Sequence, residues 1–270
     1  MREPVIETLG AVWHSISELC DDFDEQQWSA PTECPGWSVQ DQVSHLVGSE
    51  SIFMGQPMPE HSLAAPAPHA RNPMGERNEV IVDYRRSRSG REVLEEFRAV
   101  TSERLAQLRA MSPDDLAAET MTPVGPGTLR DLLAIRAFDA WVHEQDIRRA
   151  VGRPGELGGV GAAHSVQRCF LAMPFVVGKK AGAPDGSSVV FDVTGESPAT
   201  LSVLVADGRA TVLDRSPADP TVRLTMDVEA FTRLGCGRWE PQGAIDSGAV
   251  RIEGDRALGE RILQQINFMI

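Results

Sequence analysis

The sequence predicts an α+β protein of two domains, a four-helix bundle followed by a sandwich-like α/β domain with a mainly antiparallel sheet. Three observations lead there. Up to Gly152, apolar residues recur at three- and four-residue spacing, the period of a helix. From Ser187 onward, short β-branched runs of strand length take over, two of them joined by Asp207-Gly208, a strong hairpin signal. Between the two textures lies Gly152-Arg153-Pro154-Gly155, a run of turn-formers that sets the expected domains at 1–153 and 154–270.

Each element follows from its local pattern. Val5, Leu9, Val12, Ile16 and Leu19 make a helical stripe over 4–19, and a proline-containing break covers 28–36. Ser38, with Asp41 three residues on, reads as the cap of a second helix carrying Val39, Val43, Leu46 and Val47. Residues 55–76 are rich in Pro, Ala, Met and Gly without a period, which predicts a long loop of the kind that usually serves function. A helical region is expected to restart near Asn78, and another covers 91–111 with Val93, Phe97, Val100, Leu105 and Leu108 on one side. Residues 123–127 read as a linker. Thr128, followed by Asp131, then caps a helix that runs through Leu132, Leu133, Ile135, Phe138, Val142 and Ile147 to Gly152. Four main helices with loops between them suggest an up-down bundle. In the second domain, 157–178 reads as helix. Strands are expected at 188–193, 201–205, 210–213, 222–226 and 249–253, with helices at 228–234 and 257–266.

Composition narrows the function classes. A chain of 270 residues, 41% apolar and 24% charged, has ordinary globular proportions and room for two domains. A formal charge of −13 opposes nucleic acid or anionic membrane as partner, because phosphate-binding surfaces need clustered Lys and Arg. Cys20, Cys34, Cys169 and Cys236 form no C-x-x-C pair, which argues against a thiolate metal site and a disulfide framework. The opening MREPVIETLG has no apolar run of a signal peptide, and no stretch reaches the roughly 18 apolar residues of a membrane span. The expectation is a cytoplasmic protein, monomer or homodimer, acting on small molecules.

The chemistry is carried by a few polar residues on apolar helices. Asp139 and His143 are four apart, so both side chains leave one face of their helix, while His45 lies on another. Two imidazoles and a carboxylate from two antiparallel helices make a three-ligand set with an open fourth position, as in a catalytic zinc site. Alone, each residue has a plainer reading: His45 as an interior histidine, Asp139 and His143 as an i,i+4 pair. Burying a carboxylate among Phe138, Trp141 and Val142, however, costs several kcal/mol unless it is paired or binds a cation. Asp146 stands where it could accept from an imidazole N–H, whereas Glu144 points elsewhere. Arg136, one turn before Asp139, is the best-spaced clamp for an anionic substrate, with Arg85 and Arg86 as further candidates.

Trp28-x-x-Pro31-Thr32-x-Cys34-Pro35-Gly36-Trp37-Ser38-Val39, then His45-Leu46, and Asp139-x-Trp141-x-His143-Glu144-Gln145-Asp146-Ile147-Arg148 together resemble the mycothiol-dependent maleylpyruvate isomerase family. That family is a branch of the DinB-like metal-binding four-helix proteins. The likeness covers the first domain. The second resembles sterol-carrier proteins, more loosely, through Asp219-Pro220-Thr221-Val222 and Val250-Arg251-Ile252-Glu253-Gly254-Asp255.

The resemblance places the family's metal triad on His45, Asp139 and His143, with the shorter aspartate where glutamate or histidine is usual. It implies a divalent metal, most simply Zn²⁺, and mycothiol as co-substrate. A metal-activated thiol would then attack a small electrophile, as an S-transferase or a cis–trans isomerase. Three readings compete: a metal–water hydrolase, a non-catalytic metal-binding regulator or stress protein, and a lipid-binding second domain without enzyme activity.

Overall fold

The computed structural model describes residues 3–269. It divides into two compact units, one ending at Gly155 and the other beginning at Glu156. In the first, the elements are α1 (Pro4–Leu19), α2 (Glu25–Trp28), α3 (Val39–Phe53), α4 (Pro73–Asp83), α5 (Gly90–Ala110), α6 (Pro113–Ala117), β1 (Glu119–Thr122), β2 (Gly125–Thr128) and α7 (Leu129–Ala150). Helices α1, α3, α5 and α7 form the four-helix bundle. Both α1 and α3 pack against α5 and α7, so every long helix has two neighbours around a core containing Leu9, Ile16, Leu46, Phe97, Leu133 and Trp141.

Their starts are encoded locally. Ser38, Ser89 and Thr128 each accept from the backbone three residues on, while Asp41, Glu92 and Asp131 reach back to the cap N–H. Two orphan donors are thereby satisfied at each helix start.

In this first unit, three details differ from the sequence-based expectation. Helix α4 begins at Pro73, five residues before Asn78, because Asn72 caps it and Pro suits the first turn. The expected linker at 123–127 lies within a β-hairpin, with Glu119 to Thr122 pairing antiparallel with Thr128 to Gly125. Short helices α2 and α6 also appear where no period was legible, each too brief to show one.

The second unit contains α8 (Val160–Phe175), a π-helical turn (Val176–Lys180), β3 (Ser188–Thr194), β4 (Ala199–Ala206), β5 (Arg209–Val212), β6 (Val222–Asp227), α9 (Val228–Gly235), α10 (Pro241–Asp246), β7 (Val250–Gly254) and α11 (Arg256–Gln264). One five-stranded sheet runs in the order β5-β4-β3-β6-β7. Its pairs are antiparallel except β3 with β6, which are parallel and central. Asp207 and Gly208 join β4 to β5 with φ of 51° and 71°, the two positive values that a tight hairpin of this hand requires. Phe231 of α9 packs its ring against Phe170 of α8 and Phe191 of β3, at 5.4 and 6.2 Å between centroids. Contrary to expectation, Val160–Lys180 is long and apolar enough to cross a membrane by length and composition. Half of that window is buried, and α8 packs on α9, β4 and β5.

Gly48 sets how closely α3 and α4 approach. A Cβ there would stand 2.0 Å from Ile81 Cγ2 and 3.2 Å from Ile81 Cβ, atoms of a buried, β-branched side chain that cannot swing away. Gly48→Ala gains about 1 kcal/mol of helix propensity but forces α4 outward, and overpacking of this kind costs about 1–3 kcal/mol. We expect lower stability in urea unfolding. The loss should disappear in an Ile81→Ala background, where the colliding methyl is absent. A penalty that persists there would show that the close approach is not its cause.

Candidate metal centre

Helices α3 and α7 meet through polar pairs whose numbers rise on one helix and fall on the other. Gln42 bonds His143, His45 bonds Asp139, and Glu50 bonds Arg136, so the helices run antiparallel and in register. His45 Nε2 lies 3.2 Å from Asp139 Oδ2, and His143 Nε2 lies 3.6 Å from Asp139 Oδ1. One ligand atom from each of His45, Asp139 and His143 can be chosen so that all three lie within 4.8 Å of one another. The imidazole centroids are 4.7 Å apart, and the Trp37 ring packs beside both, at 5.2 Å from His45 and 5.9 Å from His143.

A chain of alternating charge supports Asp139. Arg136 donates from Nη1 to Asp139 Oδ2 at 2.7 Å and from Nε to Glu50 Oε1 at 2.8 Å; Arg104 Nε stands 3.5 Å from the other Glu50 oxygen. Glu50 is fully buried, and both arginines nearly so. Burial works against the Asp139 charge, but Arg136, with the two histidines, holds its carboxyl well below the usual carboxylate range. Burial likewise opposes the charge on Arg136, while Asp139 and Glu50 raise its affinity for its proton. The Asp139 side chain remains 20% exposed, so one edge of the cluster stays open.

These residues fit a divalent ion of the zinc type. The donor set is two imidazoles and a carboxylate kept ionised, a set that suits zinc and leaves further coordination open at the exposed edge. Arg136 supplies part of the compensation that the buried carboxylate needs; the sequence had left that role to a metal alone.

A family model for the mycothiol maleylpyruvate isomerase N-terminal domain matches residues 9–148, more than half of the chain. The chain belongs to the mycothiol maleylpyruvate isomerase family. A second model, for the SCP-2 sterol transfer family, matches residues 180–265. The crystal structure of a mycothiol-dependent maleylpyruvate isomerase superposes with a TM-score of 0.56 at 16% identity, covering 92% of this chain and 91% of that one. A mutant of that isomerase superposes with a TM-score of 0.57 at the same identity and coverage. At such identity the likeness is one of fold. Uncharacterized proteins of two Mycobacterium tuberculosis strains, CDC 1551 and H37Rv, are each 25% identical over 150 residues. Those residues are 55% of this chain and 57% of theirs, so the chain spans little more than half the length of these curated relatives.

In this member of the isomerase family, the structure brings His45, Asp139, His143 and Arg136 together, while Arg85 and Arg86 lie in carboxylate pairs of their own. Arg136 donates through Nη1 to Asp139 and through Nε to Glu50, and its buried Nη2 has no hydrogen-bond partner among the described residues. Arg85 forms a two-pronged pair with Glu96 at 2.9 and 2.8 Å, and Arg86 is shared among Asp41, Glu79 and Asp83. Sequence spacing locates a guanidinium but not the carboxylates that fold against it.

Asp146 is likewise not the hydrogen-bond partner of His143. Its Oδ2 lies 3.8 Å from Nδ1 and its Oδ1 accepts from Arg149, while Gln42 takes the imidazole. Glu144 accepts from Ser15 and Arg148, away from the triad as expected. Gln42, Glu50 and Trp37 were not read as site residues. The available signal was a run of polar positions, Gln42, Ser44, His45, Ser49 and Glu50, on a helix too buried to solvate them.

The 55–72 segment is pinned to α4 nearby. His61 Nε2 lies 2.6 Å from Asp83 Oδ2 and His69 Nε2 lies 2.8 Å from Glu79 Oε2, the oxygen that also accepts from Trp37 Nε1 at 2.9 Å.

Burial pushes the His45 imidazolium down from 6.5 to about 4, against the pull of Asp139. Between those values the unfolded chain binds a proton that the native chain does not, so the metal-free protein loses stability as pH falls through this window. The whole shift corresponds to about 3 kcal/mol. Urea unfolding across the window should show this slope in the parent and a flatter one in His45→Gln. Equal slopes would contradict a buried, neutral His45.

Proposed function

We propose that this chain is an enzyme that holds one divalent metal ion, most simply zinc, on His45, Asp139 and His143. It uses mycothiol, a low-molecular-weight thiol, to attack a small electrophile, as a cis–trans isomerase of the maleylpyruvate type or as an S-transferase. The observation that carries this reading is the convergence of two imidazoles and an ionised carboxylate at the open edge of a domain belonging to this family. When bound, such an ion supplies the electrostatic stabilisation a thiolate needs near neutral pH, where a free thiol of pKa about 8.5 is mostly protonated.

The chain's own residues provide the rest. Arg136 keeps Asp139 ionised and immobile, and Glu50 offsets the Arg136 charge from the other side. The Trp37 ring walls the two histidines on one side, leaving the exposed edge of Asp139 as the way in. In isomerisation, thiolate sulfur adds to one carbon of a cis double bond conjugated to a carbonyl, and the electron pair moves to the carbonyl oxygen. Rotation about the resulting single bond and return of the pair expel the thiolate, giving the trans product with no net change in protons. In S-transfer, the same sulfur forms its bond as a leaving group departs with its electron pair.

The test is turnover of maleylpyruvate and of a generic electrophile with and without mycothiol, in metal-loaded and chelated protein. We expect turnover to require both thiol and metal. His143→Ala should lose stoichiometric metal and at least about 100-fold in rate, the scale on which a Lewis acid contributes. Equal rates without thiol would replace the transferase or isomerase with a metal–water hydrolase, and full metal retention in His143→Ala would refute the triad.

A further inference from the structure

A directional hydrogen-bond relay begins at a backbone carbonyl and ends on His143. The carbonyl of Trp37 can only accept, and it receives the Thr32 hydroxyl at 2.8 Å. The more distant alternative for that hydroxyl proton, the Cys34 carbonyl at 3.5 Å, is also only an acceptor. With its single proton given away, Thr32 Oγ1 must accept from Gln42, whose amide nitrogen stands 2.6 Å from it. That contact fixes which end of the Gln42 amide faces Thr32, so the oxygen faces His143 Nδ1. A carbonyl oxygen accepts and does not donate, so Nδ1 carries the proton. In a neutral imidazole this leaves a bare lone pair on Nε2, the atom that faces Asp139 and, across it, His45. Asp146, 3.8 Å from Nδ1, favours the same tautomer, while Asp139 Oδ1, 3.6 Å from Nε2, favours the other, so it is the Gln42 hydrogen bond that decides between them.

We propose that Gln42 is a positioning residue: with Thr32 as its anchor, it locks His143 in the Nδ1–H tautomer and so presents Nε2 as a ready metal ligand. The inference rests on the metal reading for its purpose but not for its geometry, since every contact of the relay is between the chain's own atoms. His45 has no counterpart: its Nδ1 is buried and has no hydrogen-bond partner among the described residues. The two imidazoles are therefore prepared unequally, one oriented by a relay and the other hydrogen-bonded through Nε2.

The experiment reads the tautomer directly. Two-bond ¹H–¹⁵N correlation spectra of the metal-free full chain, at mildly alkaline pH, should show His143 as the Nδ1–H form. Gln42→Leu, close in volume to the parent residue, should convert His143 to a mixture or to the Nε2–H form, and Gln42→Glu, which retains an acceptor, should restore Nδ1–H. Zinc affinity, measured by competition with a chromogenic chelator, should fall about 10- to 100-fold in Gln42→Leu, as for other lost ligand-orienting partners. A His143 that is mainly Nε2–H in the parent, or that keeps its tautomer in a folded Gln42→Leu, overturns the proposal. If Gln42→Leu fails to fold, Thr32→Val supplies the test, because it leaves the Gln42 amide free to turn over; an unchanged tautomer there also overturns it. A tautomer that responds as expected in a chain that binds no zinc supports the relay and refutes the metal reading.

Discussion

The first domain depends on keeping ionised groups charged between two packed helices. Glu50, Arg136 and Asp139 alternate in sign along the α3–α7 seam, with Arg104 closing the far end. Removing any one leaves its neighbour as an uncompensated buried charge, which is far more costly than a lost surface pair. The consequence is geometric. Sliding α3 past α7 by one turn, about 5.4 Å, would part Glu50 from Arg136, His45 from Asp139 and Gln42 from His143 at once, so these polar pairs set a register that apolar packing alone would specify less strictly. His143 faces Asp139 because the two stand four apart on α7, and His45 faces it across the seam that the Glu50–Arg136 pair helps to align.

Much of this architecture was legible in the sequence because its signals are local. Ser38 and Thr128 are read within four residues, and the Asp139–His143 spacing needs nothing beyond a helix. The switch in texture after Ser187 and the Asp207-Gly208 turn are equally short-range, and the sheet they announce is present. What could not be read depends on distant partners. The hairpin of Glu119–Thr122 with Gly125–Thr128 is too short, and too rich in Gly and Pro, to show a period. The start of α4 at Pro73 is hidden by the composition of the loop before it. Arg85, Arg86 and Arg136 were visible as charges, but Glu96, Glu79 and Glu50 lie on other turns or other helices. Gln42 was the hardest to see: a neutral amide raises no electrostatic signal, and its value lies in a hydroxyl ten residues upstream.

The aspartate at the middle position takes on added meaning in this setting. Its short arm divides its oxygens, with Oδ2 facing Arg136 and His45 and Oδ1 facing His143. A carboxylate shared in this way is a weaker base than a free one, since part of its charge is already met. A metal held on the proposed triad would thus meet a harder, partly neutralised carboxylate beside two imidazoles.

The pinning of the 55–72 segment has a consequence for how such a protein can diversify. Its two anchors, His61 on Asp83 and His69 on Glu79, enclose the run from Ser62 to Pro68. The entropy of closing a loop grows only with the logarithm of its length, so residues can be gained, lost or exchanged between the anchors at small thermodynamic cost. Glu79 marks the limit of that freedom, because the oxygen that anchors the loop through His69 is also the one that accepts from Trp37. The interval between the two histidines is therefore a natural site for grafting new sequence beside an old reaction centre.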